Sequence, residues 1–524
     1  MIKTNQKFFS SFLAIALLAL MPLGLIAQQP RRTNATTTAP AVQTKGASQT
    51  EIPAHPRELK FADLSYTPPE RDKYRHVLSN GAVAYLVEDH DLPLVNVTTL
   101  IRTGRYLEPS SKEGVAALSG GQIRAGGTTS KTAEQFDEAA DFLAANISSG
   151  IGDTQGNANL NCLSKDIDQG LALYFDMLKN PRFQPDRLAL AKSQILQQME
   201  RRNDDTTTIE SREWNRLMRG TDHFSTKQTT KASIEAVTRD DLVAFHKQYY
   251  QPGAFVFAVS GDFNTKEMLA KLETSMRAWE ASKATISEVP KPSFAPVAGV
   301  YTVHKADVNQ GRVIVGHTGT TRDNPDSYAL SIMNDILGGG GFTSRLMSRI
   351  RSDEGLAYSA GSDYGLGVYY PSDFRASFQS KSATTPQAVG IIMEEIARIR
   401  TTKVSDEELT TAKNSAIEIF PRFFATAAQI AGTFAQDEYT RRPVDYWSTY
   451  RDRIKSVTAE DVQRVAQKYL QPDKLVILVV GNIDDITKSN PDNAQHSLAK
   501  IAGSNQIRRI PLPDPLTMIY PQVP

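Results

Sequence analysis

The sequence predicts an α+β protein made of two homologous mixed α/β domains, and three observations point to it. Strand-like runs of β-branched residues alternate with amphipathic helical segments along the chain. Residues 234–261 recur, without a gap, at residues 454–481. A stretch containing Pro290, Pro292 and Pro296 lies between the two copies and is typical of a linker.

The repeat is the strongest signal of domain organisation. In both copies a threonine precedes a helical segment with an acidic first turn, and a Gln-Pro pair then precedes a strand-like run. Each position of the second copy follows its counterpart by 220 residues, a period too long for a solenoid repeat. We therefore expect two homologous domains. The matched pairs include Thr238/Thr458, Asp241/Asp461, Gln251/Gln471, Pro252/Pro472 and Gly261/Gly481.

Apolar periodicity and turn residues predict the elements of each half, with helices packed on one face of a sheet. Asn80-Gly81 predicts a tight hairpin turn near the start of the first half. In the first half the predicted strands cover residues 82–87, 95–101 and 157–163, and the predicted helices cover residues 133–146 and a segment after Pro185. In the second half the predicted strands cover residues 300–304 and 312–317, and the predicted helices cover residues 327–337, 386–401 and a segment from Asp406. The predicted domains are residues 71–280 and 298–495, with a linker at 281–297 and a tail at 496–524.

The composition argues against several classes of function. The formal net charge is +1, which gives no electrostatic support for nucleic-acid binding. Cys162 is the single cysteine, so the chain cannot form an internal disulfide or a site with several thiolates. No two of the eight histidines lie within one helical turn, so no neighbouring pair of imidazoles can bind a metal ion.

The first residues of the chain predict export. Residues 1–27 have the pattern of a signal peptide, with Lys3 and Lys7 before an apolar run and a small residue at the end. An uncleaved membrane anchor is the alternative, although Pro22 weakens a spanning helix. Residues 28–70 predict a disordered tether. We therefore expect a periplasmic protein with no stable membrane span after cleavage.

Several short motifs occur in a fixed order over residues 70–485. They are Leu78-Ser-Asn-Gly81, Gly126-Gly127-Thr128-Thr129, the repeated Thr-x-x-Asp…Tyr-x-Gln-Pro segment, Ser344-Arg345-Leu346 and Arg351-Ser-Asp-Glu-Gly-Leu-Ala-Tyr358. Together they resemble the pitrilysin/insulinase family of zinc peptidases, especially its branch close to mitochondrial processing peptidase. The resemblance implies the metallohydrolase fold of the processing-peptidase type, in which the two halves form a clamshell around a chamber.

Catalytic members of that family carry His-x-x-Glu-His on a helix and a further zinc-binding Glu later in the chain. Matching around Gly114-Val-Ala places these positions at Ala117, Gly120, Gly121 and Gln198. An alanine or glycine side chain has no lone pair for zinc, and an amide oxygen is a weak ligand. The resemblance therefore implies a chain of the non-catalytic type, with no metal site and no hydrolytic activity of its own.

The resemblance assigns a role to two side chains of the second half. Arg351 and Tyr358 match an Arg/Tyr pair that family members bring to the substrate from across the cavity. There a guanidinium and a phenol donate hydrogen bonds to a polarised carbonyl or developing oxyanion. A structural alternative pairs Arg351 with Glu354 and places Tyr358 in the core.

A glycine run in the same half resembles the substrate-binding loop of the non-catalytic processing-peptidase subunit. A flexible turn, or an anion cradle at a helix start, is the alternative interpretation. The run and its following aromatic residue are Gly338, Gly339, Gly340, Gly341 and Phe342.

We expect an exported, non-catalytic subunit of a heteromeric zinc metallopeptidase. A zinc-bearing family paralogue would supply the metal, and this chain, with no cofactor of its own, would hold an extended peptide and contribute Arg351 and Tyr358 in trans. The alternatives are a structural or scaffold protein of the same fold and a solitary peptide-binding chamber. A last alternative is an enzyme whose unconventional metal site recruits Glu113 or Glu200.

Overall fold

A computed structural model describes residues 65–277, 279, 285–488, 496–503 and 506–522. The predicted signal peptide and most of the predicted tether lie outside the described residues. In the described part of the chain, strands and helices build two six-stranded mixed sheets, one in each half of the chain, and a small two-stranded sheet. No helix in this part is both long and apolar enough to span a membrane.

The described residues of the first half form six strands and eight α-helices. Its sheet has the order β1-β2-β6-β3-β5-β4, in which β2 and β6 are parallel and the other neighbours are antiparallel. The strands are β1 Arg75–Val77, β2 Val83–Glu88, β3 Leu94–Ile101, β4 Asn146–Ile151, β5 Gly156–Leu163 and β6 Phe255–Gly261. The helices are α1 Val115–Ala125, α2 Ala133–Phe142, α3 Ile167–Lys179, α4 Pro185–Glu200, α5 Thr206–Arg219, α6 Lys231–Ala236, α7 Arg239–Tyr249 and α8 Thr265–Met276.

The second half repeats this plan. Its large sheet has the order β10-β12-β8-β13-β7-β14, in which β7 is parallel to both of its neighbours. The strands are β7 Gly299–His304, β8 Gln310–Thr318, β9 Thr320–Thr321, β10 Ala357–Tyr364, β11 Leu366–Gly367, β12 Asp373–Lys381, β13 Val476–Gly481 and β14 Arg508–Arg509. The helices are α9 Ser327–Asn334, α10 Arg345–Met347, α11 Thr385–Thr401, α12 Asp406–Ile419, α13 Ala427–Thr440, α14 Tyr446–Ser456, α15 Ala459–Tyr469, α16 Ile483–Thr487 and α17 Leu498–Ala502.

The predicted duplication is confirmed. Helices α7 and α15 begin and end at positions 220 residues apart, and each starts with a capping box of a threonine and an aspartate. The backbone before each following turn is extended, with φ of −111° at Gln251 and −113° at Gln471. Strands β6 and β13 then occupy the same place in their sheets, β6 between β2 and β3 and β13 between β7 and β8.

Two predicted helices are too long. The helix predicted at residues 133–146 ends at Phe142, because Ala144 takes a left-handed φ of +48° and Asn146 begins the edge strand β4. The helix predicted at residues 327–337 leaves the α-helical pattern after Asn334 and continues as a π-helical turn. In both cases apolar periodicity runs past the point where contacts with an edge strand change the backbone.

The expectation that helices cover one face of each sheet is incomplete, because the two halves exchange a helix. Helix α5 of the first half packs on the second sheet, where Trp214 lies against apolar residues of β7, β8 and β13. Helix α13 of the second half packs on the first sheet, where Phe434 lies against residues of β2, β3 and β6. Each sheet is therefore covered on both faces, and one of the two layers comes from the other half of the chain.

Ionic contacts fix the exchanged helix α13 to the first half. Glu438 accepts hydrogen bonds from Arg75 at 3.0 and 3.1 Å and from Tyr85 at 2.8 Å, and it also forms an ion pair with Arg71. Burial alone would raise the pKa of Glu438, but these partners outweigh burial and lower that pKa to about 2.

A glycine brings one segment of each half against an edge strand. A Cβ at Gly120 of α1 would lie 2.4 Å from the amide nitrogen of Ile151 and 2.8 Å from the carbonyl carbon of Gly150 in β4. A Cβ at Gly338 would lie 2.3 Å from the amide nitrogen of Ser362 in β10. The two halves therefore share the same close approach of backbone to backbone, which only glycine permits.

The exchanged helix should be essential for stability. We expect Phe434→Ala to lower the free energy of unfolding by about 3–5 kcal/mol, since the side chain is 1% exposed between the halves. The matched control is Phe142→Ala, in which the lost ring is 86% exposed, with an expected change within about 0.5 kcal/mol. Urea unfolding of both variants measures the difference, and equal losses would contradict the exchange.

The ion cluster at Glu438 should make stability depend on pH. Because the pKa of Glu438 is lowered in the folded state, its ionised form stabilises the fold at neutral pH, and this contribution is lost as the pH falls from about 4.5 towards about 2. Wild type should therefore be more stable than Glu438→Gln at pH 7, and the difference should shrink over that interval. Glu138→Gln, at an exposed carboxylate, is the control and should show no such pH dependence.

The two neighbouring glycines of α1 should respond in opposite ways to alanine. Gly120→Ala forces α1 away from β4 and should lower the free energy of unfolding by about 1–3 kcal/mol. A Cβ at Gly121 meets no atom within 4 Å, so Gly121→Ala should raise it by up to about 1 kcal/mol through helix propensity. Thermal and urea unfolding of the two variants provide the measurement, and a harmless Gly120→Ala would refute the close contact.

Candidate functional site

The glycine run lies in an irregular turn beside the edge strand β10. Residues Asp335–Gly339 form a π-helical turn, and residues Gly341–Thr343 form a short 3-10 turn. Asn334 holds this turn to the strand, since its side chain donates to the carbonyl of Ser362 at 3.2 Å and accepts from the Ser362 hydroxyl at 2.8 Å. Gly338, the first glycine of the run, also packs directly against Ser362 of this strand, so it has a structural role.

The later part of the glycine run reaches the surface. Gly338 is buried, whereas Gly339 and Gly341 are exposed and Gly340 is half-buried. Gly341 has a φ of +62°, which a residue with a side chain would adopt only under strain. Phe342 follows with 69% of its side chain exposed. The predicted substrate-binding segment therefore has an accessible end that carries an aromatic ring.

Arg351 lies in a second π-helical turn, Ser348–Asp353, and its guanidinium contacts two aromatic rings. The guanidinium carbon is 4.5 Å from the ring centre of Phe342 and 4.8 Å from that of Tyr358. Both distances are within the range of cation–π interactions. The structure therefore brings together three side chains that are separated by up to 16 positions in the chain, and π-helical turns are frequent at functional sites.

Tyr358 stands out from the edge strand because the strand carries a β-bulge. Ala357 pairs with Ser380 and Ala360 pairs with Phe378, so β10 has one extra residue at this point. The bulge leaves the Tyr358 side chain 84% exposed. Tyr358 is therefore a surface residue, and the alternative that placed it in the core is wrong.

The alternative ion pair of Arg351 is also absent. Glu354 accepts a hydrogen bond from Gln387 at 3.1 Å, and none of the carboxylates that the structure describes forms an ion pair with Arg351. The guanidinium is held by two rings, which leave its N–H groups available as hydrogen-bond donors. Arg351 and the Tyr358 hydroxyl can therefore both donate to a carbonyl oxygen that approaches β10.

The positions matched to zinc ligands lie on α1 and α4 in the first half. Ala117 and Gly121 are one helical turn apart on the exposed face of α1, and Gln198 is exposed on α4. A side chain at position 120 would collide with the backbone of β4, so a glutamate has no room there. Within the described ranges, no group of three His, Cys, Asp or Glu side chains could hold a metal ion. The residues at the matched positions do not fit a zinc site.

Comparison with known proteins covers both halves. Residues 236–416 match the family model described as the peptidase M16 inactive domain. An uncharacterized zinc protease of Rickettsia bellii (strain RML369-C) is 24% identical over 353 residues, which span 64% of this chain and 83% of that protein. The non-peptidase homolog YmxG of Helicobacter pylori (strain ATCC 700392 / 26695) is 23% identical over 398 residues, which span 75% of this chain and 90% of that protein.

A solved structure agrees with these matches. The crystal structure of a peptidase M16 inactive domain from Pseudomonas fluorescens superposes with a TM-score of 0.70 at 25% identity, over 78% of this chain and 97% of that chain. The family resemblance drawn from the motifs is confirmed. The chain is thus similar to proteins of the pitrilysin/insulinase (M16) family, including one described as an inactive domain, and it lacks the His-x-x-Glu-His motif.

Proposed function

We propose that this protein is the non-catalytic subunit of a heteromeric M16 metallopeptidase and contributes substrate-binding and transition-state contacts in trans. One observation carries the proposal. Arg351, half-buried in its π-helical turn, contacts the exposed Tyr358 of the edge strand β10, while the helix matched to the zinc-binding helix has no His or Glu. A chain that keeps one half of a catalytic apparatus is expected to work with a chain that has the other half.

Two edge strands are suited to hold an extended peptide. Among the described strands, β10 pairs with β12 alone and β4 pairs with β5 alone, so each has one edge without a strand partner. Hydrogen bonds from the described side chains to the backbone of these two strands reach only the carbonyls of Ser362 and Ile147. Such an edge can add a peptide as a further strand through main-chain hydrogen bonds. Tyr358 at the bulge of β10 and Arg351 beside it would then donate to the carbonyl of the bound peptide.

The chemistry divides between the two proposed subunits. Zinc, its water and the general base would belong to a paralogue that carries His-x-x-Glu-His. The residues of this chain would bind the peptide, orient it along β10 and donate hydrogen bonds to the oxygen of the scissile carbonyl. No peptidase activity is expected of this chain alone, and the name non-peptidase homolog given to a relative supports that part of the proposal.

The proposed location is the bacterial periplasm. The support comes from the signal-peptide pattern of residues 1–27, which lie outside the described part of the structure. Cleavage after this segment would release a protein whose described part has no helix suited to span a membrane.

The second candidate is a scaffold or peptide-binding protein that takes no part in proteolysis. The glycine contacts favour this candidate. Gly120 stands at a position matched to the zinc-binding motif, and it packs against β4 as Gly338 packs against β10, so this position serves packing. The two candidates differ in whether Arg351 and Tyr358 affect the rate of peptide cleavage, so a kinetic experiment separates them.

Cleavage of a peptide by the partner alone, by this chain alone and by their mixture tests the proposal. We expect the mixture to be the fastest, and Arg351→Ala or Tyr358→Phe to slow the mixture by about 10²–10³-fold, the typical effect of losing one oxyanion donor. The control is Arg422→Ala, at an exposed arginine away from the site, which should leave the rate unchanged. The zinc content of the partner and the assembly of the mixture should be the same throughout.

A mixture that is no faster than the partner alone would contradict the proposal. Variants that cleave at the wild-type rate would contradict it as well, and either result would favour the scaffold function.

A further inference from the structure

A cavity of about 920 Å³ lies away from the Arg351–Tyr358 site, between the exchanged helix α5, the linker and the C-terminal tail. Its walls also include Tyr106, in the loop before α1, and Phe224, which follows α5. The volume is in the range of roughly 300–1,000 Å³ that ligand-binding pockets have. The cavity is therefore large enough for a small organic ligand or for the last residues of a peptide.

The C-terminal tail builds one wall and is itself held in place. Residues Arg508–Arg509 form β14, which adds a parallel strand to β7, and the backbone N–H of Ile510 donates to the carbonyl of Thr302 at 2.8 Å. Further along, the Tyr520 hydroxyl donates to Glu213 at 2.8 Å. The tail is thus anchored on both halves, and the cavity wall is formed before any ligand binds.

The cavity has a surplus of positive charge. Two of its arginines are neutralised, since Arg105 pairs with Asp153 at 3.1 Å and Arg219 pairs with Asp373 at 3.1 Å. Five further cations of the lining have no ion pair with any carboxylate in the described part of the chain. They are Arg216, Lys227, Lys291, Arg508 and Arg509.

The carboxylates of the lining do not balance these cations. Glu213 is occupied by Arg212 at 2.7 Å and by Tyr520. Glu108 accepts the backbone N–H groups at the start of α1, and burial raises its pKa above the usual range. Glu113 and Asp222 remain, so the cavity favours an anion.

Aromatic rings lie next to these cations. The guanidinium of Arg216 stacks 3.7 Å above the ring centre of Tyr520. Phe224 lies 4.4 Å from the ring of His223 and 6.0 Å from the ring of Tyr106. Arg508 stacks on Tyr301 and donates to its hydroxyl. A ligand of the cavity therefore meets flat apolar surfaces beside hydrogen-bond donors of positive charge.

We propose that this cavity binds a carboxylate attached to an aromatic or apolar body, either as a free organic acid or as the C-terminal residue of a peptide. Guanidinium and ammonium groups bind carboxylates through charge-assisted hydrogen bonds, and the rings cover the body of the ligand. The site does not depend on zinc, on a partner subunit or on peptide cleavage, so it stands or falls separately from the proposed function.

Isothermal titration of the full chain with two pairs of probes tests this inference. One pair is N-acetyl-phenylalanine and its amide, and the other is a hexapeptide ending in phenylalanine with a free or an amidated C-terminus. We expect each acid to bind at least about tenfold more tightly than its amide, since a charge-assisted hydrogen bond contributes about that factor. A preference shared by both pairs indicates a small-acid site, and a preference of the peptide pair alone indicates a site for chain ends.

A charge-reversed variant completes the test. Lys291→Glu combined with Arg509→Glu changes two exposed side chains of the lining and should reduce the affinity for the acids by at least about tenfold. Lys247→Glu, an exposed lysine on α7, is the matched control and should bind as wild type does. The wild-type preference for the acids should also weaken in high salt, which needs no variant.

Acids and amides that bind equally, or acids that do not bind at millimolar concentration, would overturn the inference. It would also fail if the double variant, with an unchanged melting temperature, kept the wild-type affinity.

Discussion

Exchange of α5 and α13 between the two sheets is the contact on which the rest of the structure depends. Strands β6 and β13 are buried along their whole length, so both faces of each sheet need an apolar cover. The helices of one half cover one face, and the exchanged helix of the other half, with side chains that pack beside it, covers the second. Without that helix each sheet would expose a broad apolar surface, a feature that monomeric proteins avoid. The two halves therefore stabilise each other.

The exchange also determines which parts of the sheets remain available for binding. With both faces covered, the long edge strands β4 and β10 keep an unpaired backbone edge. Each edge is approached by a glycine, Gly120 in α1 or Gly338 in the π-helical turn. The two sites differ in chemistry, because Arg124 beside β4 donates to the carbonyl of Ile147 in that strand, whereas Arg351 beside β10 contacts the aromatic rings of Phe342 and Tyr358. This arrangement is the basis of the proposed role in peptide binding.

Sequence patterns predicted the parts of this structure that rest on local physics. The capping threonines Thr238 and Thr458 and the Gln-Pro turns mark the same elements in both halves, because caps and turns are set by residues a few positions apart. Apolar periodicity did not predict the structure correctly near the edge strands. It extended α2 over the start of β4, and it gave no sign of the bulge that exposes Tyr358, since a bulge is visible only from the register of the neighbouring strand.

The duplication, and the lack of His or Glu at the positions matched to the zinc ligands, can be read from the sequence itself. A repeat needs only an alignment of the chain with itself, and the side chains of Ala117, Gly120 and Gly121 have no zinc-binding atom in any conformation. Only the tertiary structure decided which surface each amphipathic helix covers, how closely Gly120 approaches β4, and that the C-terminal tail builds a cationic cavity with α5. These features arise between residues far apart in the chain. Periodicity shows that a helix has an apolar side, but it does not show which sheet that side will bury.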